Sequence, residues 1–309
     1  SDKDIKIYYP LYGEMKISNL TTNNYGCFNG ENGNKEVAAQ KKKNCFRINC
    51  IGDSAIANYI SSKKNGLTSI PIKLEKKINQ NLILDKNFEV NNFAQGMYGI
   101  QEIIYKLIFE NIYTKPDVIV LYLGYNDIEA YLVDEFKEDY SNYKKNLYQS
   151  KNLIKLSNYI YDFKLNFLNY FFNRFFLYNM RTSIKKFISK GEVNLNADYS
   201  KGLLSFKKNL EIFSSICKSQ DIKLIICTYC HYLYDEIKFD KKFNKFNKII
   251  QKQNIIIREL SSKNSIHFVD MEKEIPNIRK NYLDNIHFSD EGMEIFSSKL
   301  FSKLKEIIK

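Results

Sequence analysis

The chain has no tryptophan, and its 309 residues hold only 3 histidines and 6 cysteines. Each scarcity excludes something. Six cysteines over this length are too sparse for a disulfide scaffold. They fall on apolar runs (Cys50, Cys227) as often as in loops (Cys27), which leaves the redox compartment open. No run approaches the roughly 18 apolar residues of a membrane span, and no signal-peptide pattern is visible. The chain begins with Ser rather than Met, as a trimmed or processed form does, so removal of an N-terminal anchor or signal stays open. With three histidines, the search for a catalytic base becomes elimination.

What is present is ordinary for a globular protein. A hydrophobic share of 44% with 27% charged residues argues against global disorder and a fibrous architecture, and the length suits one large domain or one domain with a substantial insertion. The 23 Tyr and 22 Phe, with abundant Lys, Asn and Ile, read as base composition of the source genome. The net charge of +12 favours anionic partners such as acidic polysaccharide, nucleic acid or a membrane surface. Lysines, however, are spread along helix surfaces as much as clustered at Lys41–Lys43, so a solvated surface is the default reading.

Residues 1–45 are polar and turn-rich, as in "TTNNYGCFNGENGNKE", and read as a loop-rich extension packed on a core domain of residues 46–309. Five short Ile/Val-rich runs then read as strands: "FRINCI" (46–51), "FEVNNF" (88–93), "DVIVLYL" (117–123), "IKLIICTY" (222–229) and "SIHFVDM" (265–271). Helical periods separate them: Ile100 to Ile112, Leu204 to Ile216, Ile249 to Leu260, and Asp290 to the C-terminus. Continuous apolar strands alternating with helices predict a parallel sheet covered on both faces, an α/β/α doubly wound sandwich. In that architecture ligands meet the carboxyl ends of the strands. The segment 129–200 breaks the rhythm and is expected to be a helical insertion; its aromatic stretch "LNFLNYFFNRFFLYNM" (165–180) suits the insertion's core, a lid or a membrane-facing surface.

Four strand ends carry residues able to do chemistry. In "NCIGDSAIAN", Ser54 sits where a strand turns into a helix, a position for a helix N-cap or for a nucleophile. "NNFAQGMYG" ends the second strand with Gly96 and Gly99, whose backbone N–H groups could face a ligand. "LYLGYNDIE" ends the third with Asn126, a side-chain amide donor. "CTYCH" ends the fourth with His231, a candidate substrate contact. Although it matches the C-x-x-C-H haem-attachment pattern, it terminates a buried strand, and no second metal-binding motif accompanies it, so neither haem nor metal nor any other cofactor is expected. His267 lies inside a strand as a packed side chain. In "YLDNIHFSDEG", Asp284 precedes His287 by three residues, so its carboxylate can accept from imidazole Nδ1 and leave Nε2 free to take a proton; an incidental surface loop is the bland alternative.

Taken in order, "IGDSAIAN", "NNFAQGMYG", "LYLGYNDIE" and "LDNIHF" resemble the four sequence blocks of the SGNH/GDSL hydrolase superfamily, over residues 46 to 309 apart from the insertion. The resemblance implies a flavodoxin-like five-stranded fold, Ser54 as nucleophile, His287 as general base and Asp284 as its orienter. It also implies an oxyanion hole of the Ser54 N–H, the Gly96 N–H and the Asn126 side chain; Asp53 and Met97 are further candidate substrate contacts. Chemistry supports this: a serine hydroxyl needs a base to become nucleophilic, and acyl transfer needs donors aimed at the developing oxyanion. The G-x-S-x-G elbow of α/β-hydrolases is absent. Ala55 replaces the usual Leu, Asn58 stands where Gly is common, and the second-block glycine aligns with Gly96 or, one position later, with Met97.

The expected activity is serine esterase action on small acyl groups, foremost O-acetyl groups of a bacterial cell-envelope or extracellular carbohydrate, in the envelope or periplasm. The same triad would serve an O-acetyltransferase or a lipid esterase near a membrane surface; a non-catalytic binding module would be expected to have lost a triad member. No nucleic-acid partner is expected, and the sequence leaves the oligomeric state open.

Overall fold

The computed structural model describes residues 8–9, 13–14, 22–31, 35–57, 60–62, 66–81, 86–140, 193–235, 237–263 and 266–308. The aromatic stretch 165–180 lies outside them, so the expected insertion is described only near its two ends. The chain divides into two compact units, residues 1–127 with 206–309, and residues 128–205.

In the first unit, all five expected strands form, each trimmed or extended by a few residues: β1 (Cys45–Gly52), β2 (Asn87–Asn92), β3 (Val118–Tyr122), β4 (Lys223–Cys227) and β5 (His267–Val269). They make one parallel sheet in the order β2-β1-β3-β4-β5. Every residue of β3 is buried, the pattern of a central strand covered on both faces. The described helices are α1 (Ser54–Ala57), α2 (Ile70–Asn81), α3 (Ile100–Lys106), α4 (Tyr125–Tyr131, ending in the second unit), α5 (Ser200–Ser219, beginning there), α6 (Lys241–Lys263), α7 (Met271–Glu274) and α8 (Asp290–Ile308). Helix α2 packs on α8 and β2, while α6 packs on β4 and β5. The result is the expected α/β/α sandwich with flanking helices. Its strand order reverses between β1 and β3, and folds of this kind open a crevice at that point.

One helix departs from its sequence pattern. The apolar period from Ile100 to Ile112 predicts a single α-helix, but α3 passes at Leu107 into a π-turn (Leu107–Asn111) and then a 3-10 turn (Ile112–Thr114). The cause is polar. Asn111 is fully buried, donates from Nδ2 to Lys106 O at 3.1 Å and accepts from Asn49 Nδ2 at 3.1 Å. Asn49 in turn accepts from Asn91, and Asn91 from Asn29, at 3.2 and 3.1 Å. This chain of amides runs across the sheet and satisfies groups whose burial alone would be costly. It also ties the segment around Asn29 to the core, as does Arg47, which pairs with Glu89 at 2.8 Å and donates to Ala38 O at 2.8 Å and to Thr114 O. In the second unit, Tyr131, Phe136 and Tyr140 are buried against one another, their ring centroids 5.1 to 6.3 Å apart.

Strands β1 and β3 leave no room for a side chain between their carboxyl ends. Gly52 pairs with Tyr122, and a Cβ on Gly52 would lie 1.9 Å from the Tyr122 carbonyl oxygen and 2.8 Å from Ile56. Backbone cannot yield as a flexible side chain can. Gly52→Ala is therefore expected to destabilise the fold by about 1–3 kcal/mol, the usual cost of overpacking, read as a lower urea midpoint with an unchanged m-value.

Candidate active site

The site grows out of three strand ends and one loop. Strand β1 ends at Gly52, and Asp53 and Ser54 follow in the tight turn into α1. Asp53 is fully buried, and its Oδ1 accepts from Ala55 N at 2.9 Å, so it is Asp53, not Ser54, that satisfies a backbone N–H at the start of this short helix. The Ser54 hydroxyl is left for another partner, the His287 Nε2 at 3.0 Å.

His287 sits in a narrow loop before α8. The loop is pinned by the Tyr282–Phe288 bridge and by Leu283 N donating to His287 O at 2.8 Å. Within it, Asp284 Oδ2 lies 2.7 Å from His287 Nδ1, and Asp284 Oδ1 accepts from the backbone N–H of Ile286 and His287 at 2.9 and 2.8 Å. Burial opposes charge on Asp284, but these three hydrogen bonds and the imidazole prevail and hold its carboxyl down at about 2. For His287, burial disfavours the charged ring, yet the Asp284 bond and charge, with Asp53 adding to them, raise its pKa above 6.5. A carboxylate acceptor fixes the proton on Nδ1, leaving the Nε2 lone pair toward Ser54.

The second strand end passes beside the serine, and the third is bonded to the second. A Cβ placed on Gly96 would lie 3.8 Å from the Ser54 Cβ, so the backbone at Gly96 passes beside the hydroxyl-bearing residue. Met97 follows with φ of +67° and is 77% exposed. This left-handed conformation is one that glycine adopts at no steric cost, which explains why the second block aligns at either position. Asn126, half-buried in the first turn of α4, donates from Nδ2 to Tyr98 O at 3.1 Å; an amide nitrogen has a second hydrogen to give.

Asp127 binds the two segments more tightly. Buried at 1% exposure, it accepts from Ile100 N at 3.1 and 3.2 Å and so caps α3. A Cβ on Gly99 would come within 2.6 Å of its carboxylate, so this close contact requires glycine.

Ser54, Asp284, His287 and Gly96 thus come together at the carboxyl edge, where Asn126 is bonded to the Gly96 segment through Tyr98, with Met97 exposed and Asp53 buried. His231 is different: it is 8% exposed, with Nδ1 3.2 Å from Asn247 Oδ1 and Nε2 3.3 Å from Asn285 Nδ2. His267 is half-buried on the edge strand β5. Among the described residues, no three or more His, Cys, Asp or Glu side chains gather as a metal site would need. No described helix is long and apolar enough to cross a membrane. Sequence reasoning missed Asp127 and Asn285. The acid in "YNDIE" reads as belonging to its own helix start, and nothing local says that it caps a different helix.

Such an arrangement can take a proton from a serine hydroxyl and hold a developing oxyanion, the requirements of acyl transfer. The family model of GDSL-like lipases/acylhydrolases matches residues 48–300, so the chain belongs to that family. It is, accordingly, a hydrolase acting on ester bonds. Its fold is that of the lipase/acylhydrolase from Enterococcus faecalis, which is 15% identical with a TM-score of 0.52 over 84% of this chain and 96% of that one. Similarity extends to the acetylxylan esterase Axe2 from Geobacillus stearothermophilus (12% identity, TM-score 0.49, 84% and 94% covered). It extends also to a GDSL-like lipase from Bacteroides thetaiotaomicron (12% identity, TM-score 0.47, 84% and 88% covered). A comparison with curated proteins finds no match.

The electrostatics give a direct check. Titrated by NMR in the resting protein, the His287 ring should lose its proton above the ordinary histidine value. Asp284→Asn removes the carboxylate that favours imidazolium, so the midpoint should fall; a midpoint that stays put would mean that Asp284 is not the partner setting it.

Proposed function

We propose that the protein is a serine esterase that removes small acyl groups, foremost O-acetyl groups, from a carbohydrate of the bacterial cell envelope or an extracellular polysaccharide. The observation that carries the mechanism is the continuous set Asp284–His287–Ser54, with 2.7 and 3.0 Å between its members. In this reading His287 Nε2 accepts the Ser54 proton as Oγ attacks the ester carbonyl. The Ser54 and Gly96 N–H groups and the Asn126 amide receive the oxyanion, and His287 returns the proton to the leaving alcohol. Water, deprotonated by the same imidazole, then releases the acid from the Ser54 acyl-enzyme. Since the neutral ring is the competent form, kcat/KM rises with pH through the raised His287 pKa and is lost below it.

Two features support a bulky, anionic alcohol. Met97 and Leu283, 77% and 48% exposed, stand beside Gly96 and Asp284 and give the site an open rim on which a polymer can lie. The net charge of +12 suits a negatively charged chain.

A fluorophosphonate should label wild type on Ser54 and leave Ser54→Ala unlabelled, with His287→Ala slowed by about 10³-fold or more. Hydrolysis of p-nitrophenyl esters should fall from acetate to octanoate, and acetate should be released from O-acetylated polysaccharide. Preference for long chains would overturn the acyl assignment. Acetyl transfer to a polysaccharide fragment far exceeding acetate release would overturn hydrolysis as the main reaction.

A further inference from the structure

His231 is too deeply buried to meet a polymer, yet both its ring nitrogens are engaged, and what they engage is the loop that carries the acid and base. Asn285 lies between Asp284 and His287. Its amide nitrogen has two hydrogens and two partners, the Tyr125 hydroxyl at 3.2 Å and His231 Nε2 at 3.3 Å. Its carbonyl oxygen accepts from Tyr232 N at 2.8 Å, so the residue is held from both backbone and side chain. Asn247 Oδ1, 3.2 Å from His231 Nδ1, can only accept, which places the His231 proton on Nδ1 and leaves Nε2 as the acceptor for Asn285. Tyr125 is in turn wedged against Phe246 of α6 and His231, at ring-centroid distances of 5.4 and 6.0 Å, and it immediately precedes Asn126.

We propose that His231 is a positioning residue: with Asn247 behind it and Tyr125 opposite, it clamps Asn285 and so fixes the acid–base loop of Asp284 and His287 relative to the helix start that carries Asn126. The proposal rests on the reading of Ser54, His287 and Asn126 given above. A protonated ring would set an N–H against the Asn285 N–H and open the clamp. Burial disfavours that form and brings the His231 pKa down to about 4, so the acceptor persists at neutral pH. Tyr125 faces the ring, the neutral amides of Asn247 and Asn285 meet its two nitrogens, and the titratable Cys230 and Tyr232 flank it along the chain. Neither Asn285 nor His231 touches the reacting atoms; each acts through the loop it holds.

The experiment uses p-nitrophenyl acetate and full kinetics. His231→Phe keeps a ring of similar size and loses both nitrogens, whereas His231→Gln keeps one donor and one acceptor. The Phe variant should lose about 10- to 100-fold in kcat, the scale of a small misplacement of catalytic groups, with KM within about twofold of wild type. It should also move the acidic limb of kcat/KM, and the Gln variant should recover most of the loss. Asn285→Ala should match the Phe variant, and the double variant should be little worse than either single, because both break one clamp. If melting shows that His231→Phe does not fold, Tyr125→Phe, which removes one hydroxyl, serves instead, with an expected kcat loss of about 3- to 10-fold. A folded His231→Phe, or Tyr125→Phe in its place, with kcat within about twofold of wild type would overturn the clamp, as would a loss confined to KM. Ser54→Ala, run alongside, separates the two readings: full activity there would overturn the triad itself, whereas an inactive Ser54→Ala beside a fully active His231→Phe would overturn only the clamp.

Discussion

The parallel contact between Gly52 and Tyr122 is the constraint on which the site depends. Register fixes where two strands end relative to each other, and here it brings the carboxyl ends of β1 and β3 to the same level, with Asp53 N reaching Tyr122 O at 3.4 Å. Ser54 is then two residues beyond one strand and Asn126 four beyond the other, so a nucleophile and an amide donor leave the sheet side by side. A slip by one residue would reverse which face each side chain meets. Tyr122 secures the neighbouring strand as well: its ring stacks on Tyr229 at 4.6 Å, and its hydroxyl accepts from Cys230 N at 3.0 Å. Tyr122 thus ties the end of β3 to the segment that follows β4.

Around that point the site is built from loops that hold one another. Asp127 caps α3, Asn126 reaches Tyr98 O, and Gln95 N donates to Gly52 O at 3.0 Å, so the second and third strand ends and the serine turn are mutually fixed. Such pre-positioning matters because donors already aimed at an oxyanion need no reorganisation during the reaction. The acid–base loop arrives from the far end of the chain and has no strand of its own to follow. It is bound instead by the Tyr282–Phe288 bridge and by stacking of Tyr282 on Tyr232 at 5.1 Å.

This division explains what the sequence could reveal. Ser54, Gly96, Asn126, Asp284 and His287 were legible because each occupies a short local pattern at a strand end, and the order of the strands carries them to one edge. The five strands were legible for the same reason, as continuous apolar runs. Asparagine was misjudged. Its abundance read as composition, yet Asn29, Asn49, Asn91 and Asn111 form a buried chain that bends α3 out of α-helical geometry, and Asn285 sits at the heart of the acid–base loop. Their partners lie 54 to 160 residues away in many cases, and an amide has no periodicity by which sequence could reveal such a pairing. The same holds for Asp127, whose helix is not the one it caps.

Two carboxylates act on His287 from different settings, and the difference assigns their work. Asp284 is half-exposed and triply hydrogen-bonded, which holds its carboxyl at about 2, keeps it ionised at neutral pH and lets it orient the ring. Asp53 is fully buried; lost hydration pushes its carboxyl from 3.8 up to about 6, against the Ala55 N–H that favours its charge. The raised value means that the folded state prefers Asp53 protonated, so its effect on stability is most favourable at low pH and declines as pH rises through about 6. A charge held at that cost beside a base is electrostatically useful at one moment only. In the proposed mechanism His287 becomes positive when Ser54 gives up its proton, and the attraction of Asp284 and Asp53, both of which favour the charged ring, grows as the transition state forms. Interactions of that kind lower the barrier without tightening the ground state. In that mechanism a neutral residue at position 53 would add nothing to the imidazolium.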